Sequence, residues 1–485
     1  MDNEINNGTP LKKTLKRFSV IVVVGYIAAV ICFFLLAGQQ LFFRQSDGNT
    51  ELPPANSSTV ELSSGNVVEQ IIVTNIQRLE TIGVQWTTFY RANSGIVTME
   101  LYNMSTGEMV MSQSYSASEI TEGQVLTMSS QEPLENSYKV PYRLKIYCTD
   151  SAAGSSAAPL INTDISDKGT LSVNGEPRNG SLCFYVSGTD NIWIGQNYWA
   201  IAGVGFVLVL LFLAAVWGRF RKGKHSYIVN ALVAKSRYRF LIHQLVERDF
   251  KTKYKRSVLG VLWSFLNPLL TMAVQYFVFS TIFNADIANY PTYLLIGVVV
   301  FNFFSESCNM SLTSIVGNAN LITKVYVPKY IYPVTRVISS MVNFGISLIP
   351  LVVVCIFTGV TFHQSTVLAL FFLMCLIIFC MGFGLFLSAA MVFFRDMQFL
   401  WSVFSMLWMY ATPIFYPESI LPDYLRYFLG MNPLYHFLKN IRSCVLDGLS
   451  PEPVEYLICF LFSLAALIIG AAIFRKNQDK FVLYL

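Results

Sequence analysis

The chain has 485 residues, 54% of them hydrophobic and 13% charged, with a mean hydropathy of +0.49 and a formal net charge of +5. That composition is too apolar for a water-soluble enzyme of this length and points to a polytopic membrane protein. No G-x-x-x-x-G-K-[ST], H-E-x-x-H, C-x-x-C or G-x-S-x-G pattern occurs, so a hydrolase or metalloenzyme reading has no motif behind it, and ATP-driven work would need another chain.

In chain order, residues 1–17 carry Lys12, Lys13, Lys16 and Arg17 ahead of an apolar run from Phe18 to Leu36. Residues 18–43 are read as an uncleaved transmembrane anchor, because the run approaches the roughly 20 residues a span needs. A signal peptide is the alternative, with only a weak small-x-small site after it. Residues 44–197 change character: Ser, Thr, Asn and Gly rise, and short alternating runs appear at 67–73, 81–89, 95–102, 142–148 and 181–186. Separated by turn signals such as Asn93-Ser94-Gly95, these runs predict an antiparallel β-sandwich. Cys148 and Cys183 are the two cysteines of this segment, and either a disulfide or two free thiols fits them. A second span, 198–217, stops against Arg219 and Arg221.

Residues 218–257 form a basic segment. From Arg219 to Arg256 there are twelve Lys/Arg and two acids, whereas Ser46 to Gly195 holds seven Lys/Arg and sixteen acids. Short basic loops stay in the cytoplasm, so the basic segment is expected inside and the β region outside. The end of the segment reads as an amphipathic helix. Ile242, Val246, Phe250 and Tyr254 recur at steps of four, and Arg248, Lys251, Lys253, Lys255 and Arg256 occupy the other face. Such a helix lies in the headgroup plane with its cations toward phosphate.

Residues 258–485 hold six apolar runs, at 258–283, 293–312, 334–357, 367–394, 400–415 and 454–474. With the first two spans this makes eight, which leaves both termini cytoplasmic and agrees with Arg475, Lys476 and Lys480 at the end. The fold class expected is a mainly α-helical polytopic membrane protein with an inserted extracytoplasmic all-β domain. Between the last two runs, at 416–453, two short segments each introduced by a proline are too short to cross and are expected to be re-entrant. Residues 318–324, Asn-Ala-Asn-Leu-Ile-Thr-Lys, fit a short helix stopped before Pro328. Glu306 stands inside an apolar span, where an acid needs a partner, a proton or water.

Four ordered motifs carry a resemblance: the stretch Glu247 to Trp263, the loop N-A-N-L-I-T-K-V-Y-V-P, F-F-R-D-M at 393–397, and P-I-F-Y-P followed by N-P-L-Y. Over about 235–485 the chain resembles the permease subunits of polysaccharide-exporting ATP-binding-cassette transporters, the type-2 permeases of O-antigen and teichoic acid export. The resemblance implies a homodimer of six-span units in the bacterial plasma membrane. It also implies two copies of a separate ATPase that uses ATP and Mg, with no cofactor in this chain. The substrate it implies is a glycan polymer on undecaprenyl diphosphate, moved from the cytoplasm to the outer face. Arg248, Lys251, Lys253, Lys255 and Arg256 would help admit the lipid diphosphate, although general attraction to anionic membrane lipids also suits them. Asn318, Ala319, Asn320, Leu321, Ile322, Thr323 and Lys324 would be the coupling helix for the ATPase. Pro417, Pro422, Asn432, Pro433 and Tyr435 would shape the outer re-entrant gate.

A sugar chain passes most easily along aromatic faces with few fixed charges. Tyr276, Trp408, Tyr410 and Phe415 are the candidates for that channel, though aromatics also pack against lipid. Arg395 and Asp396 suit a cytoplasmic turn, either as a local ion pair or as an ATPase contact. Residues 1–217 depart from the family pattern, and the β region is only weakly similar to jelly-roll modules of surface-glycan enzymes. Competing readings are a permease for a smaller amphiphile such as a drug or glycolipid, and a membrane-anchored glycan-binding protein. A membrane glycosyltransferase is a further one, with Asp249 and Asp396 as its only plausible cytoplasmic acids. Nucleic acid is not an expected partner.

Overall fold

The computed structural model describes residues 8–46, 52–165, 171–222, 227–255, 259–283, 289–324 and 327–484. Two compact units emerge, Gln39–Tyr198 and a discontinuous unit of Met1–Gly38 with Trp199–Leu485.

In the first unit, alternation of apolar and polar residues produces strands with one dry face. The strand Pro141–Thr149 buries Tyr142, Leu144, Ile146 and Cys148, while Arg143 and Thr149 are exposed on the other face. Six antiparallel strands form one sheet in the order 176–178, 171–173, 67–73, 141–149, 96–103, 109–116. The second sheet has seven strands and is built around Arg78–Thr87, which pairs with 184–191, 125–134 and 158–162. Trp86, Met99, Leu144, Ile146, Met128 and Phe184 meet in the core between the layers. The expected sandwich is present, with strands at 109–116, 125–134 and 158–162 beyond those the alternation predicts. Cys148 belongs to the six-stranded sheet, whereas Cys183 pairs by its amide with Leu160 in the other. Both are buried, and no disulfide joins them.

One loop of this unit is strained. Phe89 and Tyr90 are consecutive non-glycine residues with φ of 55° and 56°, a conformation that costs about 1 kcal/mol or more per residue. Glu122 holds the loop in place. Its carboxylate accepts from the Thr87 hydroxyl at 2.8 Å, the Thr88 hydroxyl at 2.7 Å and the Thr88 amide at 2.8 Å. Burial alone would raise this carboxyl group, but the hydrogen bonds from Thr88, Thr87 and the Tyr90 amide outweigh it and bring the pKa down to about 2.

The second unit is helical. Its helices are α1 (Gly8–Ala37), α2 (Tyr198–Arg221), α3 (Tyr227–Tyr254), α4 (Leu262–Phe283), α5 (Tyr290–Leu312), α6 (Ala319–Lys324), α7 (Ile331–Phe357), α8 (Ala369–Phe393), α9 (Met397–Ala411), α10 (Asp423–Leu429), α11 (Pro433–Arg442) and α12 (Pro453–Asn477). Among the described residues, seven helical segments are long and apolar enough to cross a membrane, where eight spans are expected from sequence. The difference is α9. It has 15 residues, about 22 Å at 1.5 Å per residue against about 30 Å of hydrocarbon. Pro413 ends it by forcing Thr412 into an extended conformation.

Close approach replaces hydrophobic driving force inside such a bundle. α8 and α12 meet through glycines: a methyl group on Gly382 would run into the backbone of Ala466 and Leu467, and one on Gly470 into the Gly382 carbonyl. The Ser463 hydroxyl seals the contact by donating to the Cys375 carbonyl at 2.7 Å. α1 and α2 pair through the Tyr26 hydroxyl, which donates to the Ala202 carbonyl at 2.7 Å, and the Trp217 indole, which donates to the Ser19 hydroxyl at 3.0 Å.

Two outcomes are expected. Gly470→Ala forces the two backbones apart and lowers thermal stability of the purified chain by about 1–3 kcal/mol, whereas Gly345→Ala, with open space at its Cβ, has no such effect. Glu122→Gln lowers the melting temperature of the β unit within the full chain at neutral pH. Because the native pKa is depressed, the gap between wild type and variant is full above about 4.5 and shrinks as pH falls toward about 2. A gap independent of pH would refute it.

Candidate functional site

The amphipathic helix α3 does not rest on lipid alone. Leu245 is buried, and Leu241 and Ile242 pack beside it against Ile315, Ile322 and Tyr332. The helix is also pinned by charge. Asp249, with 5% of its side chain exposed, meets Arg336 of α7 at 2.8 Å, and the Ser339 hydroxyl donates to its other oxygen at 3.2 Å. These contacts tie Asp249 to α7 and give it a structural part in fixing α3.

The cations expected to face headgroups have separate fates. Lys251 pairs with Glu247 at 2.6 Å one turn back. Arg248 lies 3.2 Å from Asp249 and donates to the Asn318 side chain at 3.4 Å. Lys255 is exposed just past the end of α3. Arg256 lies outside the described residues. Lys253 turns into the protein, to Glu306 of α5 at 2.7 Å.

That pair borders a cavity of about 550 Å³ between α3, α4, α5 and α7. Asn302, Glu306 and Asn309 line it from α5 at steps of four and three, so one face of a membrane-length helix is polar. Asn343 of α7 donates to the same Glu306 oxygen at 2.7 Å and accepts from the Tyr254 hydroxyl at 3.1 Å. Tyr254 also bonds Ser264 at the start of α4. A lone acid at this depth costs about 2.5–3.5 kcal/mol; Lys253 and Asn343 are the partners the sequence demanded without naming. The arrangement can receive a group that is anionic at one end and polar along its length.

Near Asn318 the short helix α6 is anchored by buried Ile322, while Asn320, Leu321, Thr323 and Lys324 are exposed and Ala319 is half-buried. Asn318 itself is buried and donates to the Ser314 carbonyl at 2.7 Å. Arg395 does not pair with Asp396 but reaches the Tyr484 carbonyl at 3.4 Å, and both side chains are exposed at the turn before α9.

The segment expected to be re-entrant holds a short helical turn, Glu418–Ile420, followed by α10 and α11. Pro417 and Pro422 each precede a helical turn, and the Asn432 side chain caps α11, where Pro433 takes the first position. The Trp408 indole donates to Asn432 at 2.8 Å and its ring packs on Phe304 at 5.1 Å. Phe415 is buried against Phe279. Trp408 is half-buried, with Phe304, Phe383 and Phe404 meeting it edge to face, and Phe415 also meets Tyr410 at a tilt. Tyr276 contacts Tyr290, and Tyr410 is 58% exposed. Tyr435 is buried beside His436.

Residues not foreseen from sequence hold this end together. Arg442 is buried, donates to the Pro413, Ile414 and Tyr293 carbonyls at 2.6, 2.9 and 3.1 Å, and lies over the Tyr293 ring at 3.4 Å. His436 and Asn440 bond Glu455 at 2.8 and 3.0 Å. The available signal was chemical: charged and polar side chains at one-turn spacing in a segment that must satisfy itself inside the protein.

These features define an integral membrane protein with a polar path beside an interfacial helix, the class of a transporter permease. Residues 241–446 match the ABC-2 type transporter family. The O-antigen export system permease protein RfbA of Klebsiella pneumoniae is 31% identical over 244 residues, 50% of this chain and 93% of that protein. The protein of the same name from Myxococcus xanthus is 30% identical over 250 residues, 50% and 95%. The polysialic acid transport protein KpsM of Escherichia coli is 25% identical over 241 residues, 49% and 93%. The chain belongs to the ABC-2 type transporter family, and its helical core is a permease domain.

Arg442→Lys should lower thermal stability by about 2 kcal/mol, because an ammonium cannot fork to three carbonyls and leaves some unpaired. Retention of wild-type stability would show that the fork is dispensable.

Proposed function

We propose that this chain is the permease subunit of an ATP-driven exporter that moves a glycan polymer, carried on undecaprenyl diphosphate, across the bacterial plasma membrane. Two copies of the chain form the conduit, and two copies of a separate ATPase bind ATP and Mg and drive it. The observation that carries the reading is a lysine at the end of an interfacial helix, opening onto a polar cavity within the bundle. A lipid diphosphate fits that place, since its tails stay in the bilayer while its charge meets Lys253. The polar stripe of Asn302 and Asn309 offers carboxamides to sugar hydroxyls further along. The relatives' association with O-antigen and polysialic acid points the same way.

The ATPase would seat on the exposed side of α6, with Leu321 and Lys324 as its contacts. Arg248 joins that helix to α3 through Asn318, so force received at α6 reaches the cavity wall. The basic segment suits the cytoplasmic side and the acidic β unit the outer side, with both termini inside.

Leu321→Asp should reduce recovery of the ATPase with the purified permease and lower polymer export at least about tenfold, while Thr358→Ala, far along α7, leaves the complex intact. Export of the polymer by a strain whose permease binds no nucleotide-hydrolysing subunit would overturn the proposal.

A further inference from the structure

We propose that Glu306 is the specificity-setting counter-charge of the cavity: it holds Lys253 in an ion pair that a doubly charged diphosphate breaks and a singly charged phospholipid headgroup does not. The inference rests on the reading of Lys253 as the diphosphate contact and adds what that contact must compete with.

A cation at the membrane surface faces a large excess of ordinary anionic lipid. If Lys253 were free, each such headgroup would occupy it in turn. It is not free: Glu306 bonds it at 2.7 Å, and Asn343 bonds the same carboxylate oxygen at 2.7 Å. With 43% of the lysine and 29% of the glutamate side chain exposed, the pair remains within reach of a ligand. Any anion that takes Lys253 makes it give up Glu306, and a monoanion returns only one charge contact for the one lost, so it gains nothing. A diphosphate brings a second charge and more acceptor oxygens, which Lys253 can meet together with the Asn309 and Asn302 amides across the cavity. Asn343 is the second half of the device. Its amide stays on Glu306 while its carbonyl oxygen accepts from Tyr254, the residue after Lys253. The carboxylate thus retains a donor when the lysine leaves, and the helix end is not cast loose.

The test uses the permease–ATPase complex in nanodiscs and two probes, undecaprenyl diphosphate and phosphatidylglycerol, each titrated into a phosphatidylcholine background. Bound lipid is counted by native mass spectrometry, and ATP hydrolysis is followed in parallel. In the wild type, the diphosphate should be retained over phosphatidylglycerol. Glu306→Gln releases the lysine, so phosphatidylglycerol occupancy rises and the selectivity ratio falls by about tenfold. Glu306→Asp keeps the charge on a shorter arm and gives an intermediate ratio; it decides the matter should the glutamine variant fail to assemble. An unchanged ratio in both variants, with Lys253→Ala weakening diphosphate binding, overturns the counter-charge proposal and leaves the diphosphate contact standing. Diphosphate binding unaltered by Lys253→Ala overturns both.

Discussion

A charge in hydrocarbon survives only beside a compensating group, and that constraint organises the helical unit. Two ion pairs tie the interfacial helix α3 to the bundle, Asp249 to Arg336 and Lys253 to Glu306. They sit four residues apart on α3, one helical turn, and reach different helices, α7 and α5. The helix is therefore oriented by the protein and not by lipid alone. Without its cation each acid falls back on weaker partners, Asp249 on Arg248 and Ser339 and Glu306 on Asn343. The cavity exists because α3 is held at this angle, with its last turn over the gap between α4 and α5.

The same constraint explains the opposite end. Irregular backbone is tolerated at membrane depth only where the protein satisfies it. The segment 412–416 breaks the helical pattern at Pro413, and its carbonyls need donors. Arg442 supplies them from α11, and Gly297 makes room, since a side chain there would meet Ile414 and the guanidinium. A cation without a carboxylate partner looks costly in isolation. Here it is solvated by three carbonyl dipoles and an aromatic face, so its charge is used to hold a turn.

What the sequence revealed follows from the range of the interactions. Local periodicity was legible: the strand at 67–73 has the predicted bounds, and two short helices follow prolines between 416 and 453. Strands at 109–116 and 125–134 were missed because Ser and Gln dilute their alternation. Glu306 announced itself as an acid needing a partner, but Lys253 lies 53 positions away and nothing local links them. Arg442 left no pairing pattern at all, because backbone carbonyls belong to every residue. For the aromatics the gap is similar: composition reveals a ring but not that Phe415 packs on Phe279 or Trp408 on Phe304.

The contacts around α3 also differ in strength, and the order has a mechanical consequence. Asp249 is nearly buried and is met by Arg336 and Ser339. Arg248 is 45% exposed and touches Asn318 at 3.4 Å, near the limit of a hydrogen bond. If α6 receives the ATPase as proposed, a displacement there meets α3 first at this long Arg248–Asn318 contact, whose guanidinium lies 3.2 Å from Asp249. Asp249, held by Arg336 and Ser339, is then the part of α3 least free to follow, and Lys253 one turn further on carries the more exposed of the two ion pairs.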